Sequence, residues 1–197
     1  SHHDYSRLAS SVAISSYHKE TNSSFSETMM MLYSDGIIHD KLIETIKEYG
    51  EDTIDAVINH DNDYNFDYFA WRSLQEMYLL KRPNGVTVER PQHMYMRIAL
   101  WVTETLEQAK EYYTSLSNQL ISKATPIMIN SGTKVPQLAS CVLHYNDSDS
   151  REGLLGTLRD ISTFSSDAAG IGLSMSNIRS KESRISTSGG YAGGLLK

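Results

Sequence analysis

Apolar residues recur at helical spacing through the first 122 residues and in short strand-like runs afterwards. Leu8, Ala9, Val12 and Ala13 form one stripe, and Phe25, Met29, Leu32 and Tyr33 another, which together predict helix across residues 4–33. The polar His18-Lys19-Glu20-Thr21 lies between them; it reads as solvated helix surface, with His18 favourable near a helix C-terminus. Leu42, Ile43 and Ile46, then Ile54, Val57 and Ile58, predict two short helices divided by a capping Gly50. Asp61 through Tyr68 is a polar loop opening a helix that carries Phe69, Leu74, Met77 and Tyr78. Its aspartates do not make a calcium loop, because the glycine and terminal glutamate of that motif are missing. Pro83-Asn84-Gly85 predicts a hairpin turn between strand-like flanks at 79–82 and 86–89. Pro91 suits the first turn of a helix whose apolar face is Met94, Ile98, Trp101 and Val102. A further helix over about 104–121 carries Leu106, Ala109, Tyr113, Leu116 and Leu120.

The texture changes near residue 123. Ile127-Met128-Ile129, Cys141-Val142-Leu143 and Gly170–Met175 are strand-like, and 149–166 is helical with Leu154, Leu155, Leu158 and Ile161. Strands alternating with a helix imply crossover units and a buried sheet. The fold class is therefore mixed α/β: a mainly helical domain over 1–122, then an α/β domain over 123–197. Residues 186–194 are loop-like.

The chain has 197 residues, 40% hydrophobic and 21% charged, a globular balance large enough for a real core. Its formal net charge of -6 argues against nucleic-acid binding through phosphate attraction. No apolar run approaches the ~20 residues that span a bilayer, and the first residues carry no secretory signal pattern. One cysteine excludes an internal disulfide and fits a reducing compartment, so a cytoplasmic location is expected. No metal site is expected. His93 has Arg97, not a second ligand, at i+4, and reads as a structural histidine. By composition alone, Cys141 after an apolar run reads as an inert buried thiol.

Four strings give a different reading. Thr125-Pro126-Ile127-Met128-Ile129-Asn130-Ser131-Gly132-Thr133-Lys134-Val135-Pro136-Gln137-Leu138-Ala139-Ser140-Cys141 resembles the substrate-site segment of the large, catalytic subunit of ribonucleotide reductase. Val12 through Thr21, Glu89-Arg90-Pro91-Gln92-His93-Met94 and the 168–179 stretch resemble the eukaryotic-type class I members of that family. The resemblance implies a helical domain followed by the first strand-helix units of a ten-stranded α/β barrel. It implies reduction of ribonucleotides to deoxyribonucleotides by radical chemistry.

Carried over by position, Cys141 matches the first member of the family's redox pair, a role that suits a thiol because disulfide formation is reversible. Thr125, Ser140 and Gly170 match substrate-binding positions, where hydroxyls and backbone N–H groups can hold a diphosphate. Asp149, Ser150, Arg151, Arg179, Ser186 and Thr187 match the site of the deoxynucleotide or ATP effector. There an aspartate would accept from a deoxyribose hydroxyl and Arg179 would pair with phosphate. Arg151 replaces an expected aliphatic residue, and Ser166 a lysine common in relatives, so Arg151 offers a substitute cation. Asp149 or Ser150 is equally an ordinary helix N-cap.

The resemblance implies that this chain binds no resident cofactor. The radical would come from a partner metal-containing small subunit, with adenosylcobalamin the second choice. Implied partners are a complementary C-terminal part of the large subunit, a second copy packed through helix 149–166, and thioredoxin or glutaredoxin. The ATP cone would precede Ser1 and the radical cysteine would follow Lys197, so the chain is expected to act as a fragment or a split subunit. The competing reading is a non-catalytic nucleotide-binding or dimerisation module of the same fold.

Overall fold

A computed structural model describes residues 3–135, 137–166, 169–186 and 188–195. The chain forms two compact units, Ser1–Leu138 and Ala139–Lys197. That division falls beyond the change of texture at 122/123, and leaves the 125–130 segment with the helical unit.

The first unit holds eight helices among its described residues: α1 (His3–Glu20), α2 (Phe25–Ser34), α3 (Asp40–Tyr49), α4 (Glu51–Asp55), α5 (Tyr68–Ser73), α6 (Pro91–Val102), α7 (Leu106–Ser117) and α8 (Thr125–Asn130). A 3₁₀ segment, His60–Asn65, precedes α5, and a π-helical turn, Leu74–Tyr78, follows it. The expected helix over 4–33 is two helices. Arg90 clamps the end of α1, donating to the His18 and Thr21 carbonyls at 2.8 and 2.6 Å. Ser24 then caps α2 by accepting from the Glu27 N–H at 3.0 Å. The buried edge of α1 is also not the expected one. Leu8 and Val12 are more than 60% exposed, while Ser10, Ile14 and Tyr17 are buried. Those three positions follow helical spacing, but two of them are polar or amphipathic and hide the stripe.

Gly50, at φ +88°, closes α3 with its N–H on the Ile46 carbonyl and separates it from α4 as expected. Asp67 caps α5, which buries Trp71, and the π-helical turn after it buries Leu74; Phe69 and Met77 are exposed. Asn84-Gly85 does turn the chain, with the Arg82 N–H on the Val86 carbonyl at 2.9 Å, but the flanks share a single bridge, Lys81 with Thr87. α7 stops at Ser117, leaving Leu120 exposed. Ile127-Met128-Ile129 is not a strand. Pro126 sits in the first turn of α8, where a missing N–H costs nothing.

Helix α6 is the axis of this unit. Pro91 through Leu100 are all buried, so the helix needs internal partners for its polar residues. Arg97 and Glu89, both fully buried, form a bidentate pair at 2.6 and 3.0 Å. Arg97 also donates to the Met128 carbonyl at 3.0 Å and to the Ser131 carbonyl, and Glu89 accepts from the Leu80 N–H. Gln92 donates to Asp63 at 2.9 Å and accepts from the hydroxyls of Tyr113 and Ser117. Burial, with His60 the next cause, pushes the His93 imidazole well below its ordinary pKa.

The second unit is a β-α-β crossover. Strand β1 (Cys141–Tyr145) pairs in parallel with β2 (Gly170–Ser174) through helix α9 (Arg151–Ser166). Among the described residues this sheet has two strands. Their apolar side chains stay open, Leu143 at 91% and Tyr145 at 63% exposure, so the buried sheet expected from the sequence is not buried within this chain. Among the described residues, no helix is long and apolar enough to cross a membrane.

Candidate functional site

The strand register brings three of the four substrate candidates together. Cys141 is paired directly with Gly170, and the Gly170 N–H donates to the Ser140 carbonyl at 2.7 Å. Ser140, Cys141 and Gly170 therefore share the N-terminal edge of the two-stranded sheet. The Ser140 hydroxyl lies 3.7 Å from the Cys141 sulfur. Cys141 is a free, exposed thiol, which corrects the expectation of a buried inert one. A Cβ at Gly170 would stand 3.4 Å from the Ser140 carbonyl, an ordinary van der Waals contact, so the backbone here does not by itself demand glycine. Thr125 belongs to the helical unit. It opens α8, and its hydroxyl lies 3.4 Å from the Tyr78 hydroxyl.

The effector candidates gather in a cleft of about 860 Å³ within the second unit. Asp149, Ser150, Arg151, Arg179 and Ser186 line it; Thr187 lies outside the described residues. Its geometry comes from local rules. The Ser150 hydroxyl accepts from the Gly153 N–H at 3.0 Å and caps α9. Gly153 is needed there, because a Cβ would stand 2.4 Å from the Ser148 hydroxyl and 2.5 Å from its carbonyl. The opposite wall is a tight excursion in which the Ile185 N–H donates to the Gly190 carbonyl and the Ala192 N–H to the Ser183 carbonyl, both at 2.8 Å. It carries Ser186 at its bend.

Asp149 and Arg179 are each other's partners. The Arg179 side chain donates through Nε to the Asp149 carboxylate and through Nη2 to its carbonyl, the latter at 2.8 Å. The Arg179 N–H adds a bond to the same carboxylate oxygen. These hydrogen bonds hold the Asp149 carboxyl below the usual carboxylate range. The cleft thus presents a pre-oriented guanidinium beside a carboxylate, a capped helix start and hydroxyls, a set that can receive a sugar hydroxyl and an anion. Arg151 is exposed at its rim and Ser166 lies at the far end of α9, so a cation in the cleft comes from Arg151 and Arg179.

Sequence reading missed Asn146. It is fully buried, accepts from the Thr157 hydroxyl of α9 at 3.0 Å, and its carbonyl accepts from Asn177 at 2.8 Å. It joins the end of β1, α9 and the turn that delivers Arg179. Asn-Asp-Ser-Asp-Ser after a strand reads only as a polar loop, so nothing short of the fold singles it out.

Residues 64–136 match the ribonucleotide reductase all-alpha domain and residues 139–197 the ribonucleotide reductase barrel domain. The chain is 36% identical over 205 aligned residues to a ribonucleoside-diphosphate reductase large subunit of Dictyostelium discoideum, 36% to one of Arabidopsis thaliana, and 38% to one of vaccinia virus. Each alignment covers 99% of this chain but 23%, 25% and 26% of the respective relative, so the chain spans about a quarter of their length. The second match begins where the second compact unit begins. The chain belongs to the ribonucleotide reductase large-subunit family, as its all-alpha domain followed by the opening of its barrel domain.

Proposed function

We propose that this chain is part of a ribonucleoside-diphosphate reductase large subunit, supplying one redox thiol, part of the substrate site and the effector cleft. The observation that carries the proposal is the Cys141–Gly170 pairing, which gathers Ser140, Cys141 and Gly170 at one open sheet edge. In the reaction the ribose 2′-hydroxyl is replaced by hydrogen. Two thiols give up two electrons and two protons, a disulfide forms, and water leaves. Cys141 supplies one thiol, and since it is the chain's single cysteine, the second comes from elsewhere in the assembly. A thioredoxin- or glutaredoxin-type dithiol then restores both.

The radical comes from a partner metal subunit rather than from a group held by this chain, and the setting is a reducing cytoplasm. Leu154, Leu155 and Leu158 on α9 are 41%, 59% and 60% exposed, which supports a second copy packing along that helix. A deoxynucleoside triphosphate in the 149–194 cleft selects the substrate.

In the assembled enzyme, Cys141→Ser should abolish repeated turnover with a dithiol protein as reductant. Wild-type turnover would remove Cys141 from the redox pair. Arg179→Ala should weaken deoxynucleoside triphosphate binding by about ten- to a hundredfold, the loss of a charge-assisted bond. Calorimetry showing unchanged affinity in both Arg179→Ala and Asp149→Ala would remove these two residues from the effector site.

A further inference from the structure

We propose that His18, His60 and Asp63, in the helical unit, form a binding site for a divalent cation of the zinc class. His18 stands in the last turn of α1, and the other two on the 3₁₀ segment that packs beside it. Their donor atoms all lie within 4.8 Å of one another. Two imidazoles and one carboxylate form a donor set suited to Zn²⁺ and its neighbours, whereas Ca²⁺ or Mg²⁺ would need an oxygen shell. Metal–ligand bonds of about 2.0–2.2 Å put the ligands of a tetrahedral centre roughly 3.3–3.6 Å apart. The triad needs to contract by little more than an ångström, within reach of side-chain rotation.

The His18 Nε2 and Asp63 Oδ2 atoms, 2.8 Å apart, share a hydrogen bond. A cation would take the place of that proton, leaving His18 protonated on Nδ1. The remaining Asp63 oxygen is already fixed by the Gln92 amide, which Tyr113 and Ser117 hold in turn. Such outer partners orient metal ligands.

A second observation points to the same place. His60 Nδ1 and His93 Nδ1 are buried without a hydrogen-bond partner, while the Nε2 atom of each faces the one Ser23 carbonyl, at 2.9 and 3.2 Å. His93 is fully buried. The His60 ring sits between the others, 5.7 Å from His18 and 5.1 Å from His93 by ring centroids. Among the described residues, these two imidazole nitrogens are the buried side-chain polar atoms left without a hydrogen-bond partner, one within the triad and one beside it. The nearby Arg90 guanidinium is committed to the His18 carbonyl and to Thr21, and Asp63 offsets its charge.

The site was not legible in the sequence, since His18 lies far from His60 and Asp63 along the chain and each reads singly as surface or loop. The test uses the full chain, stripped with chelator, in a His2→Ala/His3→Ala background that removes the N-terminal histidines as competitors. Zn²⁺ should bind at one equivalent against a chromophoric chelator, and Co²⁺ should give the visible absorption of a low-coordinate nitrogen/oxygen site. His60→Phe, which keeps a ring in the same space, should weaken Zn²⁺ binding at least tenfold with far-ultraviolet circular dichroism unchanged. Unchanged affinity in His60→Phe, or loss of all stoichiometric binding in the His2→Ala/His3→Ala background, would overturn the proposal. If His60→Phe does not fold, the Co²⁺ spectrum of the background protein decides, and absence of the visible bands overturns it.

Discussion

Removing Arg97 should be among the most damaging single changes in the helical unit. The guanidinium and the Glu89 carboxylate are both fully buried, and their bidentate contact is the charge balance of the core around α6. Arg97→Met keeps much of the side-chain volume but leaves the Glu89 carboxylate with the Leu80 N–H as its remaining donor among the described residues. It also strips a charged donor from the Met128 and Ser131 carbonyls. Breaking a buried pair from one side costs about 3–5 kcal/mol, because the surviving charge is left uncompensated. A domain of this size has a total stability of about 5–15 kcal/mol, so the loss is a large share of it. With a urea slope of about 2 kcal/mol/M, the midpoint should fall by roughly 2 M. Urea titration followed by tryptophan fluorescence reads the helical unit, since Trp71 and Trp101 both lie in it. The double variant Glu89→Leu/Arg97→Met should recover most of the loss, as apolar replacement of a whole buried pair is often close to neutral. A cost below about 1 kcal/mol for Arg97→Met would refute this account of the core. So would a double variant as damaged as the sum of the two single ones.

Gly132→Ala should destabilise by about 1–3 kcal/mol, because Gly132 has a φ of +72° and a Cβ there would stand 2.8 Å from Leu42 Cδ2 and 3.0 Å from Arg97 Cγ; a thermal midpoint within a degree of wild type would contradict this. The Asp149 carboxyl, held low by Arg179, should titrate below the ordinary carboxylate value, and Arg179→Gln should return it towards that value; carboxyl carbon NMR reads both, and identical titration in the two proteins would count against the pair. The sign follows from the lowered folded value: the pair's contribution to stability is complete above the unfolded carboxylate pKa and is lost as pH falls through the folded one.

Much of the scaffold was legible in the sequence, and for identifiable reasons. Gly50, Pro91 and Asn84-Gly85 act through backbone restrictions that need no tertiary context, and each does at its position what it was expected to do. The β1-α9-β2 order followed from apolar runs separated by a strong helical pattern. The misses share a cause. Ile127-Met128-Ile129 is too short to show a period, and Pro126 decided for helix. The buried edge of α1 contains Ser10 and Tyr17, each satisfied by a carbonyl from a distant segment, Phe66 and Glu89 respectively. Hydropathy cannot register a face made apolar only by long-range hydrogen bonds. Arg97 stood in the sequence merely as the residue that was not a second ligand for His93, yet it organises the core. At the candidate sites, residue types came from family resemblance, while the pairing of Asp149 with Arg179 and the hub at Asn146 required the fold.

The central claim is that Cys141 gives up electrons to the substrate. The direct measurement is a single turnover of the assembled enzyme without external reductant, followed by alkylation of free thiols and peptide mapping. Cys141 should be protected from alkylation in proportion to the deoxyribonucleotide formed, and should appear in a disulfide-linked peptide with a cysteine from outside this chain. Full alkylation of Cys141 after stoichiometric product formation would contradict the account.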